Sequence, residues 1–182
     1  RRMRRLGVVQ VSLGGGEPFA REDLADLVHC FVAEGLNARV LTNGIGIDKA
    51  QLDRMLDDGV RNFSISLDSL YPERFDYICE YEGAWDEAVQ TMVHIGKRLH
   101  GIRGALPTIN CVVSNLNLEE LPDIVRFAKE IGFAVSFLPI ELLDSAEDGV
   151  KNWEARFIRH RPEMGLHAKD SAEQVQIRVD RA

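Results

Sequence analysis

The segment that decides the fold is residues 8–18, VVQVSLGGGEP, in which an apolar run meets three glycines, one glutamate and a proline. An uninterrupted run of apolar and β-branched residues predicts a buried strand of a parallel sheet. Glycines admit backbone conformations closed to other residues and leave room for a ligand against the main chain. Glu17 adds one carboxylate at that opening, and Pro18 stiffens the exit. The segment indicates a ligand-binding loop between a strand and a helix, with a plain tight turn as the simpler alternative.

Strands and helices alternate along the rest of the chain. Apolar and β-branched runs predict strands over residues 7–13, 37–41, 62–67, 108–113 and 133–138. Apolar residues at helical spacing predict helices between these strands, the last two over residues 84–99 and 118–131. Asp48 with Gln51 resembles a capping box at the start of an earlier helix. A regular βαβ order requires crossover connections and a parallel sheet. The predicted fold class is therefore α/β.

Polar or glycine-rich residues follow all five predicted strands. These clusters are residues 14–18, 42–44, 68–69, 114–115 and 139–141. In barrels and in open α/β sheets alike, the carboxyl ends of the strands form the edge that binds ligands. Five such clusters in succession predict one shared site at this edge.

Two nucleotide-binding folds are excluded by their motifs. A dinucleotide-binding domain needs G-x-G-x-x-G after its first strand, but the third glycine is missing here and Pro18 interferes with the helix entry. The sequence also lacks the G-x-x-x-x-G-K-[ST] of a P-loop. A barrel or partial barrel is the better interpretation. An ordinary barrel lyase or aldolase ranks lower, because every lysine falls on a predicted helix or in the tail.

The composition excludes further classes of protein. With 182 residues, 45% of them hydrophobic, the chain can bury a core and form a domain. A net charge of −7 argues against a nucleic-acid partner. No apolar run approaches the roughly 20 residues that span a membrane. Cys30, Cys79 and Cys111 are odd in number and far apart, which predicts reduced thiols in a cytoplasmic protein.

The strand-end motifs, taken in order, resemble those of the radical S-adenosylmethionine (radical SAM) enzymes. The motifs are Gly15-Gly16-Glu17-Pro18, Thr42-Asn43-Gly44, Ser64-Ile65-Ser66-Leu67-Asp68, Asn110 with Asn115, and Leu138-Pro139-Ile140. The resemblance covers residues 1–141 and implies a partial (β/α) barrel with about five βα repeats, equivalent to the family's second to sixth strands. We expect this domain over residues 1–143, followed by an irregular tail over residues 144–182 that ends in the start of a further helix.

The resemblance implies S-adenosylmethionine as a cofactor. Gly15, Gly16 and Glu17, with Pro18 behind them, match the family's segment that contacts the cofactor's amino group. An ammonium group offers only donors and a positive charge, so backbone carbonyls and one carboxylate suit it. The other implied contacts lie at the ends of the later strands: Thr42, Asn43, Ser66, Asp68, Asn110, Leu138 and Pro139.

The resemblance also implies a [4Fe-4S] cluster, but the family's Cys-x-x-x-Cys-x-x-Cys motif is absent from this sequence. In the family this motif follows the first strand, so we expect it upstream of Arg1. The 182 residues alone contain no metal ligands for the cluster and are expected to be inactive.

The intact enzyme implied by the resemblance has a reduced cluster, served by an electron donor such as flavodoxin or ferredoxin. The cluster cleaves the cofactor to methionine and a 5′-deoxyadenosyl radical, which abstracts hydrogen from a small-molecule or peptide substrate. No catalytic side chain can be named. The alternative is a barrel of the same fold that lost its cluster and acts as a non-catalytic binding or scaffold module.

Overall fold

The structure, a computed structural model, describes residues 2–140 and consists of five parallel strands with intervening helices. The strands are β1 (Gln10–Leu13), β2 (Asn37–Thr42), β3 (Asn62–Ser66), β4 (Thr108–Val113) and β5 (Ala134–Pro139). The helices are α1 (Arg2–Arg5), α2 (Leu24–Ala33), α3 (Lys49–Asp57), α4 (Pro72–Cys79), α5 (Ala84–Leu99) and α6 (Leu121–Ile131). Two 3₁₀ helices, Pro18–Ala20 and Leu118–Glu120, precede α2 and α6.

The strands are ordered β1-β2-β3-β4-β5 across the sheet, and every neighbouring pair is parallel. Right-handed crossovers in this sequential order place the connecting helices on a single face of the sheet. The predicted α/β class and partial barrel are therefore confirmed, because a sheet of this order curls into a barrel segment with its helices outside.

The two faces of the sheet differ in polarity. The outer face packs on the helices, and its Val40, Ile65 and Ile109 are fully buried in the same core cluster as Met92 and Ile95 of α5. Successive residues of a strand point to opposite faces, so the alternate positions form the inner face. By strand register the inner face comprises Gln10, Ser12, Asn37, Arg39, Leu41, Asn62, Ser64, Ser66, Thr108, Asn110, Val112, Ala134, Ser136 and Leu138. Most of these side chains are polar, as expected for a face that surrounds a ligand.

The first strand is shorter and more exposed than predicted. It begins at Gln10, because the N–H groups of residues 6–8 turn back onto carbonyl oxygens of α1. Val9, in the predicted strand, is 73% exposed. Within residues 2–140, β1 pairs with β2 on one side and with no strand on the other. The apolar run predicted burial on both faces, but an edge strand is covered on fewer sides.

The predicted capping box is half formed. The carboxylate of Asp48 accepts the N–H of Ala50 at 2.9 Å, as an N-cap should. Gln51 does not return to Asp48 but joins two helices, since its Oε1 accepts from Ala25 N–H and its Nε2 donates to the carbonyl of Arg21, both at 3.3 Å. A partner from another helix has replaced the local bond that the spacing predicts.

The other boundaries agree with the sequence to within one or two residues, except that a 3₁₀ turn opens the helix predicted from residue 118. The predicted domain boundary at residue 143 and the tail lie outside the described residues. Among residues 2–140, no helix has both the length and the apolar character needed to cross a membrane, the longest being the 16 residues of α5.

The packing of α5 on α6 depends on Gly96. A Cβ added at Gly96 would lie 2.2 Å from the carbonyl oxygen of Ile131. A backbone oxygen cannot rotate away, so the two helices would have to separate. We expect Gly96→Ala to lower the free energy of unfolding by about 2 kcal/mol, although alanine is the better helix former.

Urea titration followed by circular dichroism measures this loss. The control is Lys97→Ala at the exposed neighbouring position, which should change the unfolding free energy by less than about 0.5 kcal/mol. Equal stabilities for the two variants would contradict the close approach of α5 and α6.

Candidate cofactor site

A cavity of about 360 Å³ lies at the carboxyl ends of β1 to β4, within the usual size range of small-molecule sites. It is lined by Gly15, Gly16, Glu17, Leu41, Thr42, Asn43, Ser64, Ser66 and Asn110. The structure thus brings together seven of the eleven residues predicted to contact the cofactor, drawn from segments up to 95 residues apart in the chain.

The glycine loop forms one wall of this cavity and leaves its backbone accessible. Gly15 has φ +96°, a conformation that side chains rarely adopt. No atom lies within 4 Å of a Cβ built on Gly15 or Gly16. Within residues 2–140, no loop or cap hydrogen bond engages the carbonyl oxygen of either glycine. These carbonyls are available to a ligand that donates hydrogen bonds.

Glu17 closes the loop by binding the end of the neighbouring strand. Its Oε1 accepts from Thr42 Oγ1 at 2.7 Å and from the N–H of Phe19 at 3.1 Å. Its Oε2 accepts from the N–H of Asn43 at 2.9 Å. The Thr42 hydroxyl in turn accepts from the N–H of Gly44 at 3.1 Å. One carboxylate therefore holds the loops after β1 and β2 in a fixed relation.

These contacts leave the site suited to an ammonium group. A carboxylate has about four acceptor positions, and the three protein donors leave one on Oε2. The donors to Glu17 are neutral, so its negative charge is not cancelled by a cation in the described residues. The remaining acceptor position and the carbonyls of Gly15 and Gly16 match the three donors of the amino group of S-adenosylmethionine. The residues present fit that end of the cofactor.

Ser66 and Asn110 form the opposite wall. They are register partners on β3 and β4, and both belong to the inner face. The carbonyl of Asn110 accepts from the N–H of Leu67 at 3.0 Å, which fixes the backbone at this level. A hydroxyl and an amide can each donate and accept, so this pair suits the hydroxyl groups of a ribose or a carboxylate.

Four of the predicted contact residues lie away from the cavity lining. Pro18 is buried at the start of the first 3₁₀ helix, and Leu138 and Pro139 are exposed at the end of β5. Asp68 turns toward β4, where its Oδ1 accepts from the N–H of Val112 at 2.6 Å. Their contacts with the cofactor stay predictions.

Burial raises the pKa of Asp68 to about 6, and the hydrogen bond from Val112 opposes this rise. Between its ordinary pKa of 3.8 and about 6, the folded protein holds a proton that the unfolded chain has lost. The stabilisation that this proton gives to the folded protein is complete below pH 3.8 and is lost as the pH rises through about 6.

Asp68→Asn stays neutral and should escape this loss. Between about pH 4 and pH 7.5, we expect the free energy of unfolding of the parent protein to fall by about 2 kcal/mol relative to that of Asp68→Asn. Urea titrations at the two pH values measure the difference. A constant difference between the two proteins across that range would show that burial does not raise the pKa of Asp68.

Leu41 and Ser64 line the cavity but were not predicted to do so. Both occupy inner-face positions in register with each other on β2 and β3. Successive side chains of a strand point to opposite faces of the sheet. Leu41 and Ser64 could therefore have been assigned to the inner face once the face that packs on the helices was known.

The cluster ligands are not found in the part of the chain that the structure describes. Cys30 is exposed on α2, Cys79 ends α4, and Cys111 is buried in β4. Burial raises the pKa of the Cys111 thiol, which disfavours the thiolate that binds iron. Residues 2–140 contain no group of three His, Cys, Asp or Glu side chains placed to hold a metal. These residues do not fit a [4Fe-4S] cluster.

Fold and site together define a class: an α/β partial barrel with a cavity at its strand ends whose lining suits a ligand with an ammonium group. The comparison with protein families agrees, since the model of the Radical SAM superfamily matches residues 1–128. The chain belongs to the radical SAM superfamily, whose cofactors are S-adenosylmethionine and a [4Fe-4S] cluster.

Two curated relatives show what the chain resembles. It is 33% identical over 127 residues to a PqqA peptide cyclase of Ruegeria pomeroyi, an alignment covering 70% of this chain and 33% of that protein. It is 24% identical over 147 residues to a probable GTP 3′,8-cyclase of Methanocaldococcus jannaschii, covering 75% of this chain and 45% of that protein. The chain spans about a third of the length of the peptide cyclases it matches.

Two solved structures share the fold. SuiB of Streptococcus suis, bound to S-adenosylmethionine, superposes with a TM-score of 0.64 at 20% identity over 81% of this chain and 33% of SuiB. A domain of a pyruvate-formate lyase-activating enzyme from Bacteroides vulgatus superposes with a TM-score of 0.58 at 15% identity, covering 87% of this chain and 96% of that domain.

Proposed function

We propose that the chain is the cofactor-binding core of a radical SAM enzyme that acts on a peptide. The observation that carries the cofactor assignment is the loop of Gly15, Gly16 and Glu17, whose free carbonyls and remaining carboxylate acceptor match an ammonium group. The substrate class follows from the 33% identity to a protein named as a peptide cyclase.

The described residues bind and orient the cofactor. Glu17 and the two glycine carbonyls take the amino group, and Ser66 with Asn110 take the polar groups at the facing wall. The hydrogen bonds from Thr42 and Asn43 to Glu17 fix the carboxylate before the cofactor arrives, so little ordering remains to be done on binding. The polar inner face beneath this wall is where the substrate would lie.

In the intact enzyme, S-adenosylmethionine and a reduced [4Fe-4S] cluster would together supply the radical chemistry that removes hydrogen from the substrate, while Gly15, Gly16 and Glu17 would hold the cofactor's amino group. In this proposal the cluster ligands lie outside the 182 residues, and a flavodoxin or ferredoxin delivers the electron. The protein's part is to hold the radical source against one position of the substrate and to exclude competing reactions.

The test is formation of 5′-deoxyadenosine by the full-length enzyme that contains these 182 residues together with the cluster ligands, reconstituted with iron and sulfide without oxygen and reduced with dithionite. We expect 5′-deoxyadenosine by mass spectrometry, with faster formation when peptides are added than when GTP is added. If GTP stimulates the reaction and peptides do not, the substrate is a nucleotide, as the name of the second relative indicates for that protein. Binding of S-adenosylmethionine without any cleavage would favour the cluster-less binding module.

A further inference from the structure

The inner face of the sheet is neutral except at one position. Of the inner-face strand residues defined above, Arg39 alone carries a charge. It is partly buried in the middle of β2, level with Ser12 on β1 and Asn62 on β3. A partly exposed guanidinium on a concave polar surface can bind an anionic group of a ligand through charge and hydrogen bonds.

The guanidinium of Arg39 contacts a side chain that lines the cofactor cavity. Its Nη2 donates to Ser64 Oγ at 3.1 Å. Ser64 lines the cavity, yet only 1% of its surface is exposed. The arginine therefore lies next to the cavity lining, on the inner face of the sheet, and leaves most of its five donors to other partners.

No carboxylate of the described residues pairs with Arg39. In residues 2–140, other arginines such as Arg54, Arg74 and Arg98 each bind an aspartate or glutamate. Glu17, at the rim of the same cavity, is held by Thr42 and Asn43 instead. The cavity thus has a fixed negative group in its lining, and an arginine without a carboxylate partner among the described residues lies next to its Ser64.

We propose that Arg39 binds a carboxylate of the substrate, so that the peptide is recognised through an acidic side chain. This inference rests on the proposed function. A guanidinium binds a carboxylate through two parallel hydrogen bonds, which fixes orientation as well as charge. A substrate bound to Arg39 would present its neighbouring atoms to the cofactor at the carboxyl ends of the strands.

The cofactor's own carboxylate is the other possible source of the same chemistry. It shares a carbon atom with the amino group and must therefore lie near Glu17, which binds the end of β2 at Thr42 and Asn43. The guanidinium of Arg39 lies against Ser64, one register position below Thr42. Ser66 and Asn110 on the facing wall suit the cofactor's carboxylate, so we assign Arg39 to the substrate, and the experiment below separates the two sources.

The experiment measures the binding of two probe peptides, acetyl-Gly-Glu-Gly-amide and acetyl-Gly-Gln-Gly-amide, to the full chain by calorimetry. Each titration is made with and without S-adenosylmethionine. We expect the parent protein to prefer the acidic peptide about tenfold or more. Arg39→Gln should lose this preference, while its affinity for S-adenosylmethionine stays within about twofold.

Two further variants serve as a control and as a conservative substitution. Arg126→Gln is the matched control, because Arg126 is exposed on α6 and paired with Asp123 outside the cavity; it should retain the preference. Arg39→Lys keeps the positive charge but lacks the planar guanidinium that forms two parallel hydrogen bonds, so the preference of this variant for the acidic peptide should fall to about threefold. This variant carries the test if Arg39→Gln does not fold.

Three results would overturn the proposal: equal binding of both peptides by the parent protein, an undiminished preference in Arg39→Gln, or a tenfold loss of cofactor affinity with the peptide preference intact. The last result would assign Arg39 to the cofactor's carboxylate. Failure of the parent protein to bind S-adenosylmethionine would count against the proposed function instead, because the peptide preference is also measured without the cofactor.

Discussion

Replacing Glu17 by alanine is expected to weaken the binding of S-adenosylmethionine to the full chain about 100-fold. The change removes the carboxylate that faces the ammonium group, and charge-assisted hydrogen bonds of this kind contribute about 1.5 to 3 kcal/mol. It also leaves the donors of Thr42, Phe19 and Asn43 without their acceptor. The loops after β1 and β2 then lose their fixed relation, so the cofactor must order them when it binds. Isothermal titration calorimetry measures the affinity.

A matched control separates the two effects. Glu87 also holds a loop, because its Oε2 accepts the N–H of Gly46 at 2.7 Å, but it lies outside the strand-end cavity. Glu87→Ala should therefore change the cofactor affinity by no more than about twofold. If Glu17→Ala and Glu87→Ala bind the cofactor equally well, Glu17 is a structural residue and our placement of the amino group is wrong.

Replacing Glu120 by alanine is expected to cause the largest loss of stability, about 3 to 5 kcal/mol. Glu120 is 2% exposed and precedes α6. It accepts from Ser69 Oγ at 2.8 Å, from the N–H of Leu70 at 2.7 Å and from the guanidinium of Arg74. Its removal leaves a half-buried arginine unpaired and frees the segment between β3 and α4, which borders the carboxyl ends of the strands.

The free energy of unfolding by urea measures this loss. Glu120→Gln keeps one acceptor oxygen and should cost less than the alanine variant, by about 1 to 2 kcal/mol. Glu130→Ala, at an exposed position of α6, is the control and should be nearly neutral. An alanine variant as stable as that control would mean that the network around Glu120 does not form.

The fold could be predicted because its signals are local. In each strand apolar or β-branched residues occupy at least every second position, and the amphipathic pattern of α5 places its ends at Ala84 and Leu99, as found. The errors come from contacts between distant segments. Gln51 fits a local capping pattern but binds Ala25 and Arg21, which are distant from it in the chain. The spacing of residues along the sequence does not indicate such a contact.

The site was predictable to the extent that strand ends converge in any parallel sheet. That rule brought Gly15, Thr42, Ser66 and Asn110 to one cavity. It could not tell which way a side chain turns, so Asp68, only two residues from Ser66, points instead to the backbone of β4. Nor could it reveal that the carboxylate of Glu17 serves the protein as well as the ligand, because its partners are 25 and 26 residues away.

The central claim is that the strand-end cavity holds S-adenosylmethionine by its amino group. The most direct measurement is a crystal structure of the full chain grown with S-adenosylmethionine. Our account predicts the amino nitrogen within about 2.7 to 3.2 Å of Glu17 Oε2 and of a carbonyl oxygen of Gly15 or Gly16. A cofactor bound elsewhere, with Glu17 still contacting only Thr42, Asn43 and Phe19, would contradict it.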